Sequence, residues 1–168
     1  PLAGQFQPPK GFAKPWVDKA LEAGMRYVVL TTRHHDGYCL FKTATHDFHA
    51  GATGPGRDLI AEYVETCRAA GLRVGFYYSL LSWRWPGAFS PEEHPDDLPA
   101  MVEEVHQQMR ELMTHYGQVD LLWYDGGGAL PGPGFHGCTG SHQHIDTTPA
   151  AFRRSAELNA MVRELQPG

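Results

Sequence analysis

Three times along this chain a helix-patterned segment ends in a glycine, and a short apolar run follows at once. The first unit runs from Trp16 to Gly24 and leads into Tyr27-Val28-Val29-Leu30-Thr31. The second runs from Leu59 to Gly71 and leads into Arg73-Val74-Gly75-Phe76-Tyr77-Tyr78-Ser79. The third is a helix predicted from Pro99 to Tyr116, then Gly117, then Val119 to Asp125. The closing glycines Gly24, Gly71 and Gly117 stand 47 and 46 residues apart. Glycine just past a helix takes the left-handed position at low steric cost. Leu59, Tyr63 and Cys67 form one apolar line, and Val102, Val105, Met109 and Leu112/Met113 another, as expected of helices packed on a sheet by one side. The run Tyr27 to Leu30 reads as a strand buried on both faces, the habit of parallel sheets. Parallel strands need crossover helices, so the pattern restricts the fold to α/β: part of a (β/α) barrel, or a doubly wound sheet.

In such folds the carboxyl ends of the strands form the rim where ligands bind. The first strand delivers Arg33, His34, His35 and Asp36 to that rim. The second delivers Tyr77, Tyr78 and Ser79, with Trp83, Arg84 and Trp85 just beyond. The third delivers Trp123, Tyr124 and Asp125, followed by Gly126-Gly127-Gly128. Aromatic faces suit the apolar faces of sugar rings, and imidazole with carboxylate suits their hydroxyls. Alternation along a strand puts Tyr77 and Tyr78 on opposite faces, and puts Trp123 on the face of Asp125. Two long segments, Leu80 to about Leu98 and Gly126 to about Thr148, follow strands and read as rim loops. Their Trp83 and Trp85 are either an aromatic wall or pins for the loop. His136, Cys138, His142 and His144 have irregular spacing and read as solvated. Cys67 reads as a small core residue, Asp36-Gly37 as a turn, and Arg57-Asp58 as a helix start.

The 168 residues suffice for one domain with a real core, but a closed (β/α)8 barrel typically needs about 250. A last helix, predicted from Pro149 to Leu165, runs into Gln166-Pro167-Gly168 as if another strand should follow. The chain opens on Pro1 rather than Met, so the expectation is an internal stretch of a longer protein: residues 1–168 as one partial barrel domain. A net charge of −5 and a pI near 6 give no footprint for nucleic acid or an acidic membrane. No apolar run approaches the roughly 20 residues of a membrane span. No signal peptide is visible, and the compartment stays open among secreted, periplasmic and lysosomal-type. The 3 cysteines, Cys39, Cys67 and Cys138, show neither metal spacing nor a disulfide framework.

The segments AGMRYVVLTTRHHDGYCLF, RDLIAEYVETCRAAGLRVGFYYSLLSW and HYGQVDLLWYDG, in this order and spacing, resemble the α-L-fucosidases of glycoside hydrolase family 29. The likeness covers roughly Trp16 to Asp125 and continues weakly through the last helix. It implies a (β/α)8 TIM-like barrel, part of which lies in this chain, and retaining hydrolysis of α-L-fucosides through a covalent glycosyl-aspartate. It implies Asp125 as the nucleophile, a fucose pocket lined by His34, His35, Tyr77 and Trp123, a fucosylated glycan or fucoside as substrate, and no cofactor or metal. Two family features have no counterpart: an earlier strand with a His-Trp-Gly-type motif, and the acid/base carboxylate, which lies later in the family and is assigned to no residue here.

The residues alone leave other readings open. Asp125 before Gly126 also suits a turn or a helix cap. One of the paired histidines could be a packing residue, since neighbours on a strand face opposite ways and both reach one pocket only where the strand ends or twists. His34, His35 and Asp36 could serve a metal-dependent barrel hydrolase, although metal sites more often space their histidines to share a face. A non-catalytic sugar-binding remnant is the third alternative.

Overall fold

The computed structural model describes residues 2–90, 93–126, 151 and 153–168. In chain order the elements are α1 (Leu2–Gln5), α2 (Ala13–Glu22), β1 (Tyr27–Arg33), α3 (Leu59–Ala69), β2 (Arg73–Ser79), a 3₁₀ turn (Pro86–Ala88), α4 (Asp97–His115), β3 (Leu121–Asp125) and α5 (Ser155–Leu165). The three strands form one parallel sheet in the order β1-β2-β3. Gly24, Gly71 and Gly117 each sit at positive φ after their helices, at 72°, 73° and 67°. α4 begins two residues before its predicted start. The part of the last helix expected before Ala151, and all of Gly127 to Thr148 with His136, Cys138, His142 and His144, lie outside the described residues.

The core lies between one face of the sheet and the helices. Val74, Phe76 and Tyr78 of β2 are buried against Tyr63, Val64 and Cys67 of α3 and against Val105, Met109 and Leu112 of α4. Both predicted apolar lines are buried throughout. Asp58 caps α3, its carboxylate accepting from the Ala61 N–H at 2.9 Å. It also accepts from the Tyr116 hydroxyl at 2.8 Å, which ties the start of α3 to the end of α4. The Tyr63 hydroxyl donates to the carbonyls of Val28 and Gly75, fixing α3 across β1 and β2.

The expectation that Tyr27 to Leu30 is buried on both faces is corrected. Tyr27 is 51% exposed and Val28 to Leu30 are half-buried. Only the helix-facing side is covered among the described residues, so the opposite face of Tyr27, Val29, Tyr77 and Trp123 lies open. That open side is the concave face on which the rim residues converge.

Candidate functional site

The site begins with an irregularity in β1. Thr31 pairs with Tyr77, but Arg33 pairs with Tyr78, so one extra residue is inserted. Without it, Arg33 would share the open face of Tyr27, Val29 and Thr31. With it, the side chain turns to the helix side and is wholly buried. This corrects the placement of Arg33 in the polar rim cluster. Its guanidinium lies over the Tyr78 ring, 4.6 Å from the centroid, and donates to Glu104 at 3.2 Å and Gln108 at 2.9 Å. It also donates to the carbonyls of Ser79 at 3.1 Å and Leu81 at 3.2 Å. The strand ends there, and the chain turns so that His34 and His35 both reach the concave side.

Tyr77 and Tyr78 separate as alternation requires. Tyr78 is buried and donates to Gln108 at 2.7 Å. Tyr77 faces the open side, where its hydroxyl donates a short hydrogen bond to Asp125 Oδ2. Asp125 Oδ1 accepts from the Gly126 N–H at 2.6 Å, and Gly126 sits at φ +70°, a conformation that favours glycine. The backbone carbonyl of Asp125 accepts from Leu80 N–H at 2.8 Å, fixing the ends of β2 and β3 to each other. The Tyr77 hydrogen bond, then the Gly126 N–H, then the charges of the nearby histidines outweigh burial and hold the Asp125 carboxyl below the usual range. The carboxylate is therefore ionised at neutral pH.

His34 is exposed and its ring stacks parallel to Tyr77 at 5.7 Å. The His34 and His35 rings are 4.2 Å apart. Burial, then the adjacent His34, lowers the His35 pKa below its ordinary value. Trp123, 58% exposed, stands edge-on to Tyr77 at 5.6 Å. His34, His35 and Asp125 each bring a ligand-type atom to within 4.8 Å of the others. Asp36 is not in this cluster; its carboxylate accepts from the Tyr38 N–H at 3.1 Å in the expected turn. The trio His34, His35 and Asp36 is thus not gathered as the metal alternative requires.

Three strand ends thus bring two imidazoles, a phenol and an ionised carboxylate to one open concavity, with an indole beside them. A family model described as Alpha-L-fucosidase matches residues 2–168. The chain belongs to the α-L-fucosidase family. Among curated family members it is 34% identical over 128 residues to the plasma α-L-fucosidase of Rattus norvegicus, covering 71% of this chain and 26% of that protein. It is 31% identical over 118 residues to the α-L-fucosidase of Dictyostelium discoideum, covering 68% and 25%. The chain therefore spans about a quarter of the length of these relatives. Among solved structures, α-L-fucosidase isoenzyme 1 from Paenibacillus thiaminolyticus superposes with a TM-score of 0.77 at 37% identity, over 98% of this chain and 38% of that one. A Bacteroides thetaiotaomicron family 29 enzyme, solved as a trapped covalent intermediate with 2-fluoro-fucosyl fluoride, gives 0.79 at 29% identity, over 99% and 35%.

Within this fucosidase-family site the two loop tryptophans divide the alternatives between them. Trp83 lies at the rim, 47% exposed, its ring 5.5 Å from His35 and its N–H donating to the His35 carbonyl at 2.6 Å. Trp85 packs on the small cluster of Leu81, Ala88, Leu98 and Met101, and pins the loop. Sequence reasoning missed the buried network beneath the site. Glu104 binds both Arg33 and Arg84, at 3.2 and 2.9 Å, and Gln108 binds Arg33 and Tyr78. The available signal was Glu104, Gln108 and Glu111, polar residues at helical spacing on the buried side of α4.

Proposed function

We propose that the complete protein is a retaining exo-glycosidase that hydrolyses α-L-fucosides, on a (β/α)8 barrel of which this chain forms part. The observation that carries the reading is the ionised Asp125 carboxylate at a strand end, held by Tyr77 and Gly126 with His34 and His35 alongside. Asp125 attacks the anomeric carbon, a glycosyl–carboxylate ester forms, and the bond to the leaving oxygen breaks. That oxygen takes its proton from an acid supplied elsewhere in the protein. Water, deprotonated by the same group, then attacks the anomeric carbon, frees fucose and restores the carboxylate. His34 and His35 hydrogen-bond the sugar hydroxyls, and Trp123 stacks on an apolar face of the ring. Tyr77 holds the nucleophile in place, and the substrate is a fucosylated glycan or a simpler fucoside. Family membership supports the substrate class, and the trapped intermediate of the Bacteroides relative supports the covalent route.

The test is to incubate the complete protein with a fluorinated fucosyl fluoride and map the adduct by peptide mass spectrometry. The expected label is on Asp125. A label on another residue removes Asp125 from the role, and stable labelling at Asp125 excludes a metal-bound water as the attacking group.

A further inference from the structure

The Ser79 hydroxyl has one proton to donate and two lone pairs, and it makes three contacts while wholly buried. Leu81 N–H, 3.2 Å away, can only donate, so it occupies a lone pair. The Leu81 carbonyl, 2.9 Å away, can only accept, so it takes the proton. The third contact is His35 Nδ1 at 2.5 Å. With the proton committed, Ser79 can only accept there, and Nδ1 must carry the hydrogen.

The carbonyl that takes the Ser79 proton is itself fixed, because the buried Arg33 guanidinium donates to it at 3.2 Å and to the Ser79 carbonyl at 3.1 Å. Carbonyl oxygens have two lone pairs, so both bonds fit. The chain of donors therefore runs in one direction: His35 to Ser79 to Leu81.

We propose that Ser79 is a positioning residue that sets the tautomer of His35, holding the proton on Nδ1 and leaving Nε2 as a lone pair that accepts a hydrogen bond from a hydroxyl of the bound sugar. The inference rests on reading the concavity as a sugar pocket, and it specifies the polarity of one contact there. His35 selects a substrate group that donates a proton, and it rejects an analogue whose hydroxyl is replaced by an acceptor-only group such as fluorine.

The experiment is histidine-selective ¹⁵N labelling of the complete protein, with the His35 signals identified by their loss in His35→Gln. The wild-type spectrum is expected to show a protonated Nδ1 and an unprotonated Nε2. In Ser79→Ala the proton should move toward Nε2, and kcat/KM on an α-L-fucoside should fall about tenfold. Ser79→Thr, which keeps the hydroxyl, should retain the wild-type tautomer. A wild-type His35 protonated on Nε2, or an unchanged tautomer in Ser79→Ala, overturns the proposal. The wild-type spectrum decides even if the Ala variant fails to fold. A protein that hydrolyses no fucoside yet shows Nδ1–H would refute the fucosidase reading and leave the tautomer assignment standing.

Discussion

The most consequential single hydrogen bond in the site is the one Tyr77 donates to Asp125. A hydrogen bond to the ionised form of a carboxyl favours ionisation, and this contact is the largest cause of the lowered Asp125 pKa. Tyr77→Phe removes the donor and keeps the ring. The Asp125 pKa should then rise, because the remaining supports, the Gly126 N–H and the two histidine charges, are the smaller ones. A nucleophile must be ionised in the free enzyme, so the acidic limb of the kcat/KM profile of the complete protein should move to higher pH. Activity at the plateau should fall as well, by roughly the tenfold worth of a hydrogen bond to a charged group. An acidic limb that stays in place would show that Asp125 is not the group titrating in the rate.

At the scale of elements, the helix–glycine–strand repeat was legible because its signals are local: 3.6-residue apolar lines, continuous apolar runs and punctuating glycines. So was the convergence of His34, Tyr77, Trp123 and Asp125, which follows from parity and a shared sheet edge. Arg33 was not. One inserted residue in β1 reverses its face, and a bulge leaves no mark on apolar periodicity. Its burial depends on Glu104, 71 positions away. This network joins three elements at the rim: Glu104 of α4 holds Arg33 at the end of β1 and Arg84 beside Trp83. Removing one partner of a buried ion pair leaves an uncompensated charge, so Glu104→Ala should destabilise by about 3 kcal/mol. Lys14→Ala breaks the exposed Lys14–Asp18 pair on α2 and should leave the thermal midpoint in place. Calorimetry of the complete protein compares the two. Equal, small shifts would mean that the Arg33–Glu104 pair contributes no more than a surface contact.

For the whole molecule the governing fact is that the sheet is covered on one side only. Parallel sheets bury both faces, yet Tyr27 and Trp123 on the concave side are 51% and 58% exposed. β1 and β3 flank the sheet, and each has a free outer edge among the described residues. Exposed edges with apolar side chains beside them recruit other strands. The catalytic reading points the same way, since a retaining mechanism needs a second carboxyl about 5–5.5 Å from the nucleophile, and the cluster around Asp125 holds only His34 and His35 among the described residues. The 168-residue chain expressed alone should therefore self-associate as its concentration rises, and it should hydrolyse no fucoside, whereas the complete protein should do so. Sedimentation velocity across a concentration series, with an aryl fucoside assay on the same samples, measures both. A monodisperse, active monomer of this length would mean that three strands suffice for the site, and that the proton donor lies within the chain.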